Sequence, residues 1–251
     1  MLHALKVGFW FGICLLFSSL SSAQTVKLAT GEWAPFQSAT LKNDGYVSQI
    51  IVEAFAEEGY DVELIYMPWK RAMEEAKQGR VDGTFLWGKS EERSKHFSYT
   101  APVVTLTNVL FQRTDNPITW NKPEELKAYK IGGIDGFSYG IEKWEEQGFI
   151  KLERIFVAEN NYKKLALGRL DFVIEDRDVG MAIIHRIGLQ GKITENNQPV
   201  NNRSYYILMP TDSPRTKQLI NTFNRGFSKV VEDGRYEAYR EASIRGEYKL
   251  K

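Results

Sequence analysis

Two α/β lobes facing one another across a ligand cleft form the fold class this sequence predicts. Three observations carry that reading. A strand–helix–strand–helix–strand pattern occupies residues 25–86, and a second, similar one occupies residues 130–187. Such alternation is the signature of parallel strands covered by helices. Two extended segments, Asn108–Gln112 and Ser204–Met209, flank the second pattern and are placed to carry the chain out to a second lobe and back. The lobes are expected at residues 24–111 plus 206–251 and at residues 112–205. Ligands of open α/β sheets bind at the carboxyl ends of strands, so the site is expected between the lobes.

Each element has a local cause. Thr25–Ala29 alternates as a strand. Ser48–Glu58 has helical spacing, with Ser48 as the expected N-cap and Gly59 as its stop. Asp61–Tyr66 reads as a strand, Trp69–Gln78 as a helix closed by Gly79, and Val81–Leu86 as a third strand. Val103–Gln112 is a long extended segment. Pro123–Tyr129 is a short helix, and Lys130–Ile134 is a strand running into Gly136. A helix is expected over Ser138–Gln147, extended chain over Lys151–Val157, and a helix over Asn161–Leu167 ended by Gly168. Leu170–Glu175 is a strand and Val179–Ile187 a helix. Tyr205–Met209 is extended, and Ser213–Val231 and Gly234–Glu241 form a helical tail.

Composition narrows the function. Of 251 residues, 43% are hydrophobic and 26% charged, which fits a globular chain and excludes disorder. Basic residues number 33 against 32 acidic, so nothing points to nucleic acid or an anionic membrane surface. A mean hydropathy of −0.38 argues against a polytopic membrane protein. Aromatic residues reach 13%, enough to furnish a stacking pocket as well as a core.

The opening segment reads as a targeting signal. Lys6 supplies positive charge, Val7–Phe17 is apolar, and Ser21-Ser22-Ala23 puts small side chains before the expected cleavage site. The apolar run is too short to span about 30 Å of hydrocarbon comfortably. Residues 1–23 are therefore expected to be a cleaved signal peptide, and the protein to be periplasmic. The single cysteine, Cys14, would leave with it, so the exported chain would rest on its core without disulfides.

Familiar catalytic signatures are missing: the chain has no GxSxG, HExxH, P-loop or GxGxxG. His96 and His185 lack partners at zinc-ligand spacing. No catalytic residue, metal or cofactor is expected.

The most informative stretch is GRVDGTFLWGKSEERSKHFSYTAP, residues 79–102. With GEWAPF (31–36), IGGIDGFSYG (131–140) and GRLDFVIED (168–176) in the same order and spacing, it resembles the type 2 periplasmic solute-binding proteins of the amino-acid kind, family 3. The resemblance covers the chain beyond the signal segment and implies their two-lobed fold and hinge closure, a motion for which periplasmic binding proteins are standard examples. It implies that Arg93 grips a ligand carboxylate, which a planar guanidinium does with two parallel hydrogen bonds. Ser90 stands where the family has a threonine. Asp176 stands where a second-lobe aspartate receives the ligand ammonium, and Arg177 beside it is a possible competing partner. Trp33 and Trp69 fall where aromatics sandwich the ligand side chain, and Trp87 and Gly88 where a strand end contacts it. Phe137 and Ser138 follow Gly136 where the family has two threonines, before an expected helix N-terminus suited to an anion. Gly45–Ile50 lacks the two acids the family carries there.

The implied function is capture of an amino acid or similar small polar solute by hinge closure, for an inner-membrane ABC permease, by a monomer. Two alternatives stay open. One is a dehydratase of arogenate or prephenate type on the same fold, with Glu175 or Asp176 as acid or base. The other is a stand-alone sensory binding module.

Overall fold

The computed structural model describes residues 24–137 and 139–251. The first 23 residues, and with them the expected signal peptide, lie outside the described residues, as does Ser138.

The first half holds β1 (Gln24–Thr30), α1 (Tyr46–Ala56), β2 (Tyr60–Tyr66), α2 (Trp69–Lys77), β3 (Gly83–Gly88), α3 (Glu91–Ser94) and β4 (Phe97–Tyr99). After β5 (Val104–Arg113) come β6 (Ile131–Ile134), α4 (Glu142–Glu146), β7 (Leu152–Ile155), α5 (Ala158–Ala166), β8 (Phe172–Asp176) and α6 (Arg177–Arg186). The chain returns through β9 (Ile193–Pro210) and ends in α7 (Thr216–Glu232) and α8 (Arg235–Ile244).

The strands lie in the order β2-β1-β3-β9-β5-β8-β6-β7, with β4 also on β9. The pairs β1–β2, β1–β3, β6–β7 and β6–β8 are parallel, so each half keeps its own parallel set. The antiparallel strands β5 and β9 join the two sets. Each set has its own core. Val26, Leu28, Ile50, Phe55, Phe85 and Phe223 pack in the first half. Leu110, Ile131, Phe172 and Ile174 pack on one side of the second set, and Phe111, Tyr162 and Val173 on the other. Strand β5 gives Val104 and Leu106 to the first core and Val109–Phe111 to the second. The changeover therefore lies between Leu106 and Val109, while the expected division after residue 111 falls inside β5.

Four local expectations change. Helix α1 starts two residues before Ser48, at Tyr46, because Gly45 at φ 92° turns the chain where a Cβ would sit 2.6 Å from the Phe36 carbonyl. Ser48 is buried inside the helix, its hydroxyl 3.1 Å from that of Tyr66. The helix expected from Ser138 begins only at Glu142, four residues further along the chain. Strand β4, not foreseen, pairs Phe97–Tyr99 with the end of β9. Strand β9 runs 18 residues, where only Tyr205–Met209 was expected to be extended. Its polar first part, ITENNQPVNNRS, shows little alternation and is held by the ladder to β5.

One buried ion pair ties the halves together. Arg240 on α8 donates from Nε and Nη2 to the two Asp178 oxygens on α6, at 2.8 and 2.6 Å. The Tyr46 hydroxyl donates to the same carboxylate at 3.3 Å. The Asp178 side chain is 8% exposed, so removing its cation strands a buried charge. Arg240→Ala is expected to destabilise the fold by about 2–3 kcal/mol, as breaking such pairs does after allowance for the partly exposed arginine. The urea midpoint measures this, and Arg240→Lys, lacking the two-pronged grip, should recover less than half.

Candidate functional site

Two adjoining chambers lie between the halves. The larger, about 790 Å³, is lined by Trp33, Trp69, Trp87, Gly88, Arg93 and Phe137, together with Glu32, Leu86, Lys89, Gly136 and Arg203–Tyr206. The smaller, about 240 Å³, holds Glu175 and Asp176 and shares Trp33, Phe137, Arg203 and Tyr205 with it. Six of the nine residues singled out in the sequence thus meet in one chamber, and Asp176 opens into its neighbour. Ser90 does not reach the larger chamber. It caps α3, its hydroxyl accepting from the Arg93 amide at 3.3 Å, and so helps hold the backbone of Arg93.

Arg93 is half-buried. Its Nη1 donates to the Gly88 carbonyl at 2.7 Å, and its guanidinium carbon lies 5.0 Å from the centre of the Trp87 ring. Among the described residues no carboxylate lies within ion-pair reach of it; the acid of its own helix, Glu92, pairs with Lys95 instead. The guanidinium is thus braced by one carbonyl and one ring, with donors left over for a ligand.

Backbone irregularity aims Trp87. The β3–β9 register shifts between Phe85 and Trp87, and the intervening Leu86 takes φ 60°, rare for a non-glycine residue. The strain held at the buried Leu86 turns the end of β3 toward the chamber. The indole N–H of Trp87 then donates to the Thr84 hydroxyl at 2.8 Å.

Trp33 sits in a tight loop. Its N–H donates to the Gln37 carbonyl at 2.9 Å, and its carbonyl accepts from Phe36 and Gln37 at 3.0 Å. The buried Gln37 amide bonds the Thr30 hydroxyl and donates to the Gly31 carbonyl at 2.9 Å. Trp69 lies flat on the backbone of Gly31, where a Cβ would come within 2.3 Å of its ring. Gly31→Ala is therefore expected to push Trp69 out of place and weaken ligand binding roughly tenfold, the scale of a misplaced contact group. Calorimetric titration reads the loss, and quenching of tryptophan emission tracks the ring.

Asp176 ends β8 and caps α6. Its Oδ1 accepts from the Asp178 and Val179 amides at 3.0 and 3.3 Å, while Oδ2 is buried without a partner among the described residues. Burial pushes its carboxyl up to about 7, helped by the neighbouring charge of Asp178 and opposed by the two amides. Burial likewise pushes Glu175 up to about 8. Arg177 turns away from both and pairs with Glu195 at 2.5 Å.

The sequence reading missed Glu32, Lys89, Arg203 and Tyr205 as lining residues. Lys89 stood one position from Gly88 and Ser90, so proximity to the motif was a usable signal. Arg203 and Tyr205 come from β9, and no spacing connects them to Trp33.

Among the described residues no helix is long and apolar enough to cross a membrane. No curated protein sequence matches the chain. Substrate-binding domain 2 of GlnP from Lactococcus lactis, in an open conformation, matches with a TM-score of 0.67 at 17% identity, over 88% of this chain and 95% of that one. The Streptococcus pneumoniae protein AbpA, an amino acid ABC transporter substrate-binding protein bound to L-arginine, matches with a TM-score of 0.58 at 20% identity, over 90% and 96%. A histidine kinase sensor domain similar to periplasmic binding proteins matches with a TM-score of 0.58 at 22% identity, over 90% and 96%. At such identities these structures establish the two-lobed α/β fold. Residues 26–244 match the model of a single family, and the chain belongs to it: the bacterial extracellular solute-binding proteins, family 3.

Proposed function

We propose that this solute-binding protein captures an amino acid or a close analogue in the two chambers, the halves closing over it about β5 and β9. The observation that carries the reading is Arg93, a half-buried guanidinium on the wall of an aromatic chamber with no carboxylate of the described residues in reach. A ligand carboxylate supplies the missing acceptor in bidentate geometry. The Oδ2 of Asp176, without a partner among the described residues, suits the ligand ammonium, which would also draw the proton off that carboxyl. Contacts to both halves exist only when the halves approach, so a ligand making them favours the closed state.

In this proposal the chain is exported by its first 23 residues, works in the periplasm as a monomer, and hands its solute to an inner-membrane ABC permease. The substrate-binding domain from Lactococcus lactis and the arginine-bound ABC transporter substrate-binding protein support that use of the fold.

Thermal melts of residues 24–251 against the amino acids, their amines and small carboxylates test the reading, because a ligand that binds only the folded state raises Tm. An α-amino acid is expected to raise it, with the rise lost in Arg93→Ala and reduced in Asp176→Asn. A rise with carboxylates alone overturns the role of Asp176. Turnover of arogenate or prephenate overturns the binding-protein reading in favour of a dehydratase.

A further inference from the structure

Four rings run along one side of the larger chamber, each edge-to-face with the next. Tyr205 meets Trp33 at 5.2 Å between centroids, Trp33 meets Trp69 at 6.4 Å, and Trp69 meets Trp87 at 5.1 Å. Such a strip offers extended apolar surface at little entropic cost. An aromatic wall by itself suits a flat apolar group and a cationic group alike, since ring faces attract cations. The two possibilities separate on what already occupies the ends of the strip. The Arg93 guanidinium carbon lies 5.0 Å from the centre of Trp87, and that of Arg203 lies 5.9 Å from the centre of Tyr205. The protein's own cations thus cover both terminal rings.

The charges around the chamber point the same way. Lys89, Arg93 and Arg203 line it, and Glu32 is the one carboxylate among its described lining residues. The Glu32 carboxylate accepts from the Ala39 amide at 3.3 Å, within its own loop. Glu175 and Asp176 belong to the smaller chamber. With Arg93 engaged by the ligand carboxylate, a cationic side chain laid along the strip would still face Lys89 and Arg203 against the single carboxylate of Glu32.

We infer that the larger chamber selects ligands whose side group is flat, apolar and uncharged, and refuses basic amino acids, the aromatic amino acids being the best-fitting class. This rests on the amino-acid reading above and deepens it. It also separates the chain from its arginine-bound structural relative.

Calorimetric titration of residues 24–251 at pH 7.5 with L-phenylalanine, L-tryptophan, L-alanine, L-arginine and L-lysine tests it. The aromatic pair is expected to bind at least about tenfold more tightly than each of the others, the margin one well-placed side-group contact supplies. Equal or tighter binding of L-arginine or L-lysine overturns the charge argument and leaves the amino-acid reading standing. Equal or tighter binding of L-alanine overturns the role of the ring strip. No heat and no Tm rise with any amino acid overturns the amino-acid reading and the inference with it. The variant Lys89→Glu isolates the electrostatics: it is expected to narrow the gap between L-phenylalanine and L-arginine by several fold. An unchanged gap overturns the part assigned to wall charge.

Discussion

Arg93→Ala is expected to weaken capture of the solute about 100-fold, the loss of a charge-assisted, two-pronged hydrogen bond being worth about 3 kcal/mol. The ligand-free protein is expected to keep its stability, because within the fold the guanidinium is held by the Gly88 carbonyl at the wall of the cleft and by no buried carboxylate of the described residues. A purely structural arginine would show the reverse, a lowered Tm without ligand and an affinity that changes little. Arg93→Lys separates charge from geometry. Lysine keeps the point charge and loses the fork, so it should recover only part of the affinity. Calorimetric titration gives the affinities, and thermal melts without ligand give the stability. Full affinity in Arg93→Lys would show that the site reads charge alone.

The second large effect lies in the paired carboxyls of the smaller chamber. Glu175 is 4% exposed and Asp176 6% exposed. Burial raises Glu175 from an ordinary value of 4.5 to about 8, and Asp176 from 3.8 to about 7. Groups raised in the folded state bind protons more strongly there than in the unfolded chain. Their contribution to stability is complete below about pH 4 and is lost as pH rises through 7 and 8. Tm of the ligand-free protein is therefore expected to fall between pH 6 and pH 9. Glu175→Gln removes one titration while keeping an oxygen to accept from the Asp176 amide, a bond of 3.0 Å. At pH 9 it is expected to stabilise the fold by on the order of 5 kcal/mol, since every tenfold change in proton affinity is worth about 1.4 kcal/mol. At pH 5 it should be nearly neutral. Urea titrations at the two pH values check this, and equal effects at both would place Glu175 in a far more solvated setting. A bound ammonium would change the slope. A ligand that needs ionised Asp176 should bind more tightly as pH rises from 6 to 8.

Much of the fold was legible in the sequence. The alternation in Thr25–Ala29 and Asp61–Tyr66, the amphipathic run around Trp69–Gln78 and the closing glycines are local signals, and they produce local structure. The motif from Gly79 to Pro102 likewise located Trp87, Gly88 and Arg93, because neighbours in sequence remain neighbours at the end of β3. Ser90 was found by the same motif, but only the structure shows that its hydroxyl is engaged in capping α3.

What escaped the sequence depended on distant partners. The polar first part of β9 has no pattern of its own and becomes a strand because β5 offers it a ladder. Ser48 has the chemistry of a cap and is instead a buried helix residue, because Gly45 starts the helix earlier where Phe36 leaves no room for a side chain. The strip of four rings joins the loop after β1, the start of α2, the end of β3 and the later part of β9. Sequence by itself marked candidate residues for a zwitterion and many of the elements around them, though not α3, which carries Arg93. Tertiary structure alone decided that Asp176 and Glu175 are desolvated, that Arg177 is engaged by Glu195, and that cations cover both ends of the aromatic wall. Desolvation and charge balance are sums over every group within a few ångströms, and some of those groups, such as Arg240 beside Asp178, lie tens of residues away along the chain.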